Sequence, residues 1–458
     1  MKRGRQAVRG RCRGMAKTSP LECVEVETAP ISRFERLLDE DIRSELDQTM
    51  AGLADLMRGH VIWNVNSTAR GGGVAELLAS LIPYSRGAGI DERWAVIEGT
   101  PEFFHVTKKL HVLLHGVAAD GETLTEDDRR EYEAATAKNA AALLDEVRPD
   151  DVVILHDPQT AGLIPRLRDR GIRVVWRSHI GVDTPGEVVR RAWAFLLPYV
   201  GGADALVFSR RTYAWDGLER SRVEIIPPCI DPFAAKNRDM SELEVSKVLE
   251  QASLPNRGPM VLQVSRWDRL KDPAGVMEAF ARHVAPRAGA LLVLAGPAVM
   301  SVTDDPEQPQ VLEEVMSQCG RMPDAVREAI VVAQLPMDDV ERNALTVNAL
   351  QRRADVVVQK SIAEGFGLTV AEAMWKGKPV VASRVGGIED QVEHGKSGVL
   401  VDDPHDLRTF GESVVSLLGD PEKSADLGHE ARRTVARKFI TPCHLIAQGR
   451  LILDLLRT

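Results

Sequence analysis

Two carboxylates and two cations stand where a chain could hold an extended, anionic ligand. In residues 360–379, KSIAEGFGLTVAEAMWKGKP, Glu364 sits in a glycine-containing turn and Glu372 lies eight residues further on. The apolar run DVVVQ ends at Gln359, and a helix is expected to begin near Gly367 and Leu368. The first amides of a helix have no partner within it, so they attract anions and hydroxyls. One carboxylate at the helix mouth and one about a turn deeper could grip two parts of a ligand. On spacing alone, a capping carboxylate followed by a solvated helix glutamate is the alternative. In SRWDRLK, residues 265–271, Arg266 and Lys271 follow the apolar run MVLQV. An arginine fork and a lysine point charge could clamp a diphosphate, with a solvated basic loop as the alternative. Gly71, Gly72 and Gly73 follow VIWNV; glycine lets backbone approach a phosphate or sugar, though a tight turn needs it equally. HDPQ at 156–159 and RSHIG at 177–181 lie at further strand ends. A lone histidine such as His179 is more often structural than catalytic.

Those residues need elements to hold them still. Residues 37–57 carry an amphipathic helical pattern. Residues 61–65 then read as a strand, followed by the glycine loop and a helix over 74–81, the opening of a doubly wound α/β domain. Short apolar strands follow at 93–97, 151–155, 173–176 and 205–208, with helical stretches between most of them, including a long one over 126–146. Such alternation points to a parallel sheet covered on both faces. The prolines of VEIIPPCIDPFAAKNR stop helix and strand alike, so a linker is expected there. The alternation restarts at 260–265 and continues at 291–296, 330–335, 355–359, 379–383 and 398–401. The expected organisation is an arm over 1–36, a first α/β domain over 37–225, a linker region over 226–258, a second α/β domain over 259–423, and a C-terminal helix over 424–458 packing back toward the first domain. Two domains of similar size would face each other across a cleft, with ligands at the carboxyl ends of their strands.

Composition bounds the partners. A chain of 458 residues, 44% apolar and 27% charged, can bury two or three cores. Its formal net charge of −9 argues against nucleic acid or an anionic membrane as partner. A phosphate-bearing ligand must therefore be held by a few local cations. No apolar run reaches the roughly 18–20 residues that span a bilayer. Five cysteines are widely spaced with no C-x-x-C pair, so neither a disulfide framework nor a zinc site is expected, and a reducing cytoplasm fits. The opening MKRGRQAVRGRCRGMAKTSP is basic, with no apolar segment after it as a signal peptide requires. It is expected to be a flexible basic arm, or an overlong start upstream of an initiator at Met15.

EGFGLTVAEAM, with the GKPVVAS that follows and the GGI near Gly386, resembles the E-x7-E element of retaining family 4 glycosyltransferases. The S-R-x-x-x-x-K pattern resembles that family's diphosphate site. The combination VNSTARGGGVAELL, WAVIEGTPEFFHVTKKLHVLLHG, HDPQTAGL and VVVQKSIAEGFGLTVAEAMWKGKP resembles the trehalose glycosyltransferring synthases, from about Leu37 onward. The resemblance implies a GT-B fold of two Rossmann-like domains, the first for the acceptor and the second for the donor. It implies transfer of glucose from ADP-, UDP- or GDP-glucose to free glucose, giving α,α-trehalose reversibly and with retention, without cofactor or metal. On it, Arg266 and Lys271 hold the diphosphate, Glu364 the donor-sugar hydroxyls, and Glu372 the ribose diol. Backbone around Gly365, Phe366, Gly367 and Leu368 meets sugar and phosphate, as do Gly72 and Gly73 of the acceptor-side loop. Asp157, Gln159 and Asn66 contact the acceptor, and His179 positions the transferred sugar. A homodimer is compatible with the resemblance. A retaining trehalose phosphorylase, which would use phosphate and glucose 1-phosphate with the same clamp, is the nearest alternative. A GT-B transferase for another sugar or a lipid-linked acceptor is a further one, and a catalytically silent nucleotide-sugar sensor is the alternative of another class.

Overall fold

The computed structural model describes residues 9–10, 21–70, 72–116, 123–299 and 307–457. The chain divides into two compact units, one formed by Met1–Pro228 with Thr441–Thr458 and the other by Cys229–Ile440.

Among the described residues, the first unit holds an eight-stranded sheet in the order β1-β2-β4-β3-β5-β6-β7-β8. The strands are β1 (Arg9–Gly10), β2 (Glu22–Val24), β3 (Ile62–Asn66), β4 (Glu92–Val96), β5 (Val152–His156), β6 (Arg173–Arg177), β7 (Ala205–Phe208) and β8 (Val223–Ile225). Every pairing from β4 across to β8 is parallel. All five residues of β3 and of β5 are buried, because helices cover both faces of the sheet. On one face Trp63, Val65, Leu155 and Trp176 join a core with Phe103, Tyr132, Leu143 and Trp193 from three helices. On the other face lies the helix Thr441–Arg457, whose Leu451 and Ile452 close a small cavity with Ile154 and Val175. The chain runs from β3 to β4 on one side and then crosses to β5 on the other. The strand order therefore switches between β3 and β5, the place where such folds bind ligands.

Among the described residues, the second unit holds a six-stranded, wholly parallel sheet in the order β11-β10-β9-β12-β13-β14. Its strands are β9 (Met260–Val264), β10 (Leu291–Pro297), β11 (Ile330–Leu335), β12 (Val356–Gln359), β13 (Val380–Ser383) and β14 (Val399–Val401). Its switch lies between β9 and β12, the strands that lead into the SRWDRLK and EGFG loops.

Three segments differ from the sequence-based expectation. The arm expected over 1–36 is partly built into the fold: β2 pairs antiparallel with β4, setting Cys23 opposite Ala95. Leu21, Cys23, Val24 and Phe34 are buried, which gives the segment from residue 21 an apolar anchor the arm's basic opening lacks. Residues 1–8 and 11–20 lie outside the described residues. The linker region expected over 226–258 contains a helix, Glu242–Gln251, started by a capping box of Ser241 and Glu244. The C-terminal helix is two helices, Pro421–Lys438 in the second unit and Thr441–Arg457 in the first. Phe439 and Ile440 separate them, since Phe439 C=O accepts from Ile230 N–H at 2.9 Å and so leaves the helical ladder. Cys229, Cys319 and Cys443 form no disulfide, whereas Cys23, expected to be unpaired, is disulfide-bonded. No helix among the described residues is long and apolar enough to cross a membrane.

Candidate active site

In the second unit, two loops at the switch between β9 and β12 are stitched together by their backbone. Asp268 accepts from Leu270 N–H at 2.8 Å and so caps a short 3-10 turn, Arg269–Lys271. Gln263 of β9 donates to Lys271 C=O at 2.7 Å, and Ile362 N–H donates to Leu270 C=O at 2.7 Å. Lys360, fully buried, pairs with Asp272, a residue in left-handed backbone at φ 47° that caps the helix Pro273–Ala279. These links put Lys271 beside Glu364, and its Nζ donates to Glu364 Oε2 at 2.7 Å. Ser361 Oγ donates to the same carboxylate oxygen at 3.2 Å. Arg266 is more open, with a side chain 61% exposed and 3.2 Å from Asp268 Oδ2.

The turn after Glu364 is fixed from beneath. Gly367, at φ 86°, precedes the helix Leu368–Trp375, and a left-handed residue there favours glycine. Gly387 N–H donates to Gly365 C=O at 3.2 Å, and Gln391 donates to Phe366 C=O. Phe366 turns its ring inward against Phe439, with centroids 5.5 Å apart, so its backbone is what remains for a ligand. Glu372 is 4% exposed, which rules out the solvated helix glutamate that spacing alone allowed. Lys236 Nζ stands 3.6 Å from Glu372 Oε1. One turn on, buried Lys376 donates to Glu372 C=O at 3.1 Å and to Asn237 Oδ1 at 3.2 Å. Burial pushes Lys376 down to about 7, against the attraction of Glu372.

In the first unit, Asp157 follows β5 in an unusual backbone conformation, φ 64° and ψ 176°. Such a conformation costs a non-glycine residue about 1–3 kcal/mol and persists only when its surroundings fix it. Here Asp157 N–H donates to Arg177 C=O at 2.8 Å, and Trp176 Nε1 donates to Asp157 C=O at 3.0 Å. The side chain is fixed as well, since His179 N–H donates to Asp157 Oδ1 at 2.7 Å. Burial pushes this carboxyl up to about 7, against the pull of the His179 amide and the Arg177 guanidinium. Asp157 and His179 are thus brought together. Gln159 lies in the next turn, Pro158–Ala161, with its Oε1 buried and without a hydrogen-bond partner. Asn66 is buried and braces its own loop, accepting from Trp94 Nε1 and donating to Thr68 C=O, both at 2.8 Å. Gly72 adopts φ 84° and precedes the helix Gly73–Gly87, a conformation that favours glycine; Gly71 lies outside the described residues.

Sequence reasoning passed over the polar residues beneath these loops. His156 Nδ1 lies 3.0 Å from His179 Nε2, and its Nε2 lies 3.0 Å from Asn64 Oδ1. Asn64 Nδ2 donates to Glu92 Oε1 at 2.6 Å. Arg177 Nη1 donates to His444 Nε2 at 2.6 Å and Nη2 to Ile226 C=O at 3.1 Å. Burial first, and the Arg177 charge second, push His156 down to about 3 and His179 and His444 well below the usual histidine range. One signal was available: Asn64 and His156 interrupt otherwise apolar strands, IWNVN and VVILH. Lys236, Asn237 and Lys376 carry no comparable mark. Among the described residues, no group of three or more histidine, cysteine or acidic side chains is placed to hold a metal ion.

Comparison with known proteins agrees with this division. Residues 64–215 match the family model for the N-terminal domain of trehalose synthase, and residues 246–434 match that for glycosyl transferases group 1. The trehalose synthase of Rubrobacter xylanophilus is 39% identical over 419 residues, covering 91% of this chain and 95% of that protein. This chain belongs to the trehalose synthase family. It is accordingly an enzyme, a trehalose-related hexosyltransferase. A trehalose phosphorylase of Pleurotus pulmonarius is 27% identical over 368 residues, 73% of this chain and 49% of that one. An α,α-trehalose-phosphate synthase (UDP-forming) of Burkholderia vietnamiensis superposes with a TM-score of 0.68 over 87% of this chain and 96% of that one. At 17% identity this likeness shows the fold, which is GT-B.

Proposed function

We propose that this member of the trehalose synthase family transfers glucose, with retention, from a nucleoside diphosphate glucose to free glucose, forming α,α-trehalose reversibly. The observation that supports it most is the lysine–carboxylate pair, Lys271 and Glu364, held between β9 and β12 where a doubly wound sheet receives its ligand. Arg266 and Lys271 stabilise charge on the departing diphosphate, the role a divalent ion plays elsewhere. Glu364 accepts from donor-sugar hydroxyls once Lys271 turns to the phosphates. Glu372, steadied by Lys236, takes the ribose diol, and the amides of Gly365–Leu368 meet sugar and phosphate. In the first unit, Gly72 and Gly73 offer backbone to a sugar or phosphate.

An acceptor hydroxyl attacks the anomeric carbon on the face the phosphate leaves. The carbon–phosphate-oxygen bond breaks, and the leaving oxygen takes the hydroxyl proton, so no protein nucleophile is needed. Asp157 and Gln159 hold acceptor hydroxyls, Asn66 braces the loop beside them, and His179 contacts the transferred sugar. Neither cofactor nor metal enters. Incubation of ADP-, UDP- and GDP-glucose separately with free glucose, with the product's anomeric signals followed by NMR, tests the whole reaction. An α,α-linked disaccharide from at least one donor is expected; none from any donor overturns it. The likeness to the Pleurotus phosphorylase supports a second reading, in which trehalose is cleaved by phosphate. Release of glucose from trehalose by phosphate but not by a nucleoside diphosphate would favour that one.

A further inference from the structure

The first unit's sheet carries a chain of four polar side chains across the face beneath the helix Thr441–Arg457. Glu92 stands at the start of β4, Asn64 within β3 and His156 at the end of β5, each at most 2% exposed, and His179 follows β6. Strand register puts the first three on one face, because Asn64 lies opposite Trp94 and Ile154, each two residues from the next member. Successive contacts along the chain are 2.6 Å (Glu92 to Asn64), 3.0 Å (Asn64 to His156) and 3.0 Å (His156 to His179).

The polarity of this chain follows from donor and acceptor chemistry. An ionised carboxylate only accepts, so Asn64 must turn its Nδ2 toward Glu92 and its Oδ1 toward His156. His156 Nε2 must then carry a proton to donate to that oxygen. A neutral imidazole protonated at Nε2 has its lone pair at Nδ1, so His179 Nε2 must carry the next proton. His179 is left with an unprotonated Nδ1. Burial first, and the nearby Arg177 guanidinium second, keep both rings neutral, and Asp157 takes the His179 backbone N–H and so fixes the residue's place. Burial raises the Glu92 carboxyl above its usual range, and hydrogen bonds from the side chains of Ser85, Asn64 and Gln448 pull it back toward the ionised form. Were residue 92 a donor, the Asn64 amide could turn over and every bond would reverse, leaving His179 protonated at Nδ1.

We propose that Glu92, acting through Asn64 and His156, fixes the tautomer of His179 so that His179 Nδ1 is a hydrogen-bond acceptor. Glu92, Asn64 and His156 are positioning residues, and the partner of Nδ1 is a hydroxyl of a sugar substrate. That last step rests on the reaction proposed above, whereas the tautomer itself does not.

The test is a long-range proton–nitrogen NMR spectrum of the ligand-free full chain labelled with nitrogen-15 histidine, with His156→Asn and His179→Asn assigning the two rings. Expected are both rings protonated at Nε2, with His179 Nδ1 at the frequency of an unprotonated ring nitrogen. Glu92→Gln, of the same shape but able to donate, is expected to move His179 to the other tautomer or to a mixture. It should also lower kcat about tenfold with KM for the nucleotide sugar little changed. Should that variant not fold, Asn64→Leu breaks the chain in the middle and carries the same expectation. A wild-type His179 protonated at Nδ1 overturns the inference, as does a variant whose His179 spectrum is unchanged. Failure of the transfer reaction would leave these spectra as they are, so the two outcomes are separable.

Discussion

Lys271 Nζ lies 2.7 Å from Glu364 Oε2, joining the loop after β9 to the loop after β12 through one charged pair. The two side chains are 17% and 11% exposed, so the pair is shielded enough to matter and open enough to be exchanged. In the ligand-free protein each neutralises the other. A diphosphate entering the switch point would take the lysine and free the carboxylate for hydroxyls, so charge is rearranged within the site instead of drawn from solvent.

Lys271→Ala is therefore expected to lower kcat by about 10²–10³, the usual range for removing one preorganised group that meets developing charge. Glu364→Gln should fall comparably, and the double variant should lose less than the product of the two, with a coupling of about 0.5–3 kcal/mol. Steady-state kinetics of the four proteins check this. Turnover unchanged in Lys271→Ala would remove lysine from the diphosphate clamp.

Glu372 is expected to act in binding more than in turnover, because the ribose lies away from the bond that breaks. Glu372→Gln should raise KM for the nucleotide sugar about tenfold with kcat changed less. Lys236→Ala should shift KM in the same direction by a smaller factor, since its Nζ is 3.6 Å from the carboxylate and only orients it. Isothermal titration with the nucleoside diphosphate alone gives the same ranking without turnover. Equal affinity in Glu372→Gln and wild type would displace the ribose from this carboxylate.

The alternation of strands and helices was legible because buried parallel strands must be continuous apolar runs, as MVLQV and DVVIL are. The E-x7-E segment and SRWDRLK were legible because glycine and charge at a strand end are conspicuous. What was not legible depended on partners far along the chain. Residues Glu22–Val24 join the sheet as β2 through antiparallel pairing with β4, some seventy residues on, and β2 is only three residues long, too short for a periodic signal. Lys376 looks like any helix-end lysine until Asn237 closes over it. The link from Glu92 to His179 spans four separate segments, and no local pattern records it.

The pH dependence of acceptor use should follow Asp157. Its carboxyl is raised to about 7, so below that pH it is mostly protonated and a weaker acceptor for sugar hydroxyls. KM for glucose is expected to fall as pH rises through about 7, and Asp157→Asn should flatten that profile. A profile identical in the variant would show that another group titrates.

Stability should respond to pH with competing signs. His156, lowered to about 3 in the folded state, makes the unfolded chain bind more protons between about 6.5 and 3, so stability falls as pH drops through that window, by at most about 1.4 kcal/mol per pH unit. His179 and His444, lowered in the same way, add to this loss. Asp157, raised to about 7, makes the folded chain bind more protons between about 3.8 and 7, so its contribution moves oppositely, lost as pH rises. Glu92, raised by burial, acts in the same direction as Asp157, but three buried imidazoles outweigh two carboxyls, and the melting temperature should fall on going from pH 7 to 5. Asp157→Asn should steepen that fall and His156→Gln should make it shallower. Thermal unfolding at stepped pH decides, and the opposite order of slopes would contradict the burial of these groups.

The turn that carries Gly365 to Leu368 can be probed from both sides with a single methyl. A Cβ added at Gly387 would come within 2.6 Å of Phe366 Cα and 2.8 Å of Gly365 C=O, both backbone atoms that cannot swing aside. Gly387→Ala should therefore push the turn outward, lowering stability by about 1–3 kcal/mol as overpacking does and weakening the nucleotide sugar at the same time. A Cβ added at Gly365 meets nothing within 4 Å of it in the protein itself. Gly365→Ala should leave the melting temperature unchanged. If the ligand approaches the backbone there, the same methyl will nevertheless raise KM for the nucleotide sugar several-fold. Measured side by side, the two variants separate packing from contact: loss of stability belongs to Gly387 alone, and loss of affinity to both. A Gly365→Ala enzyme with normal donor KM would place the ligand away from this backbone, and a Gly387→Ala protein of full stability would mean the turn is looser than its contacts describe.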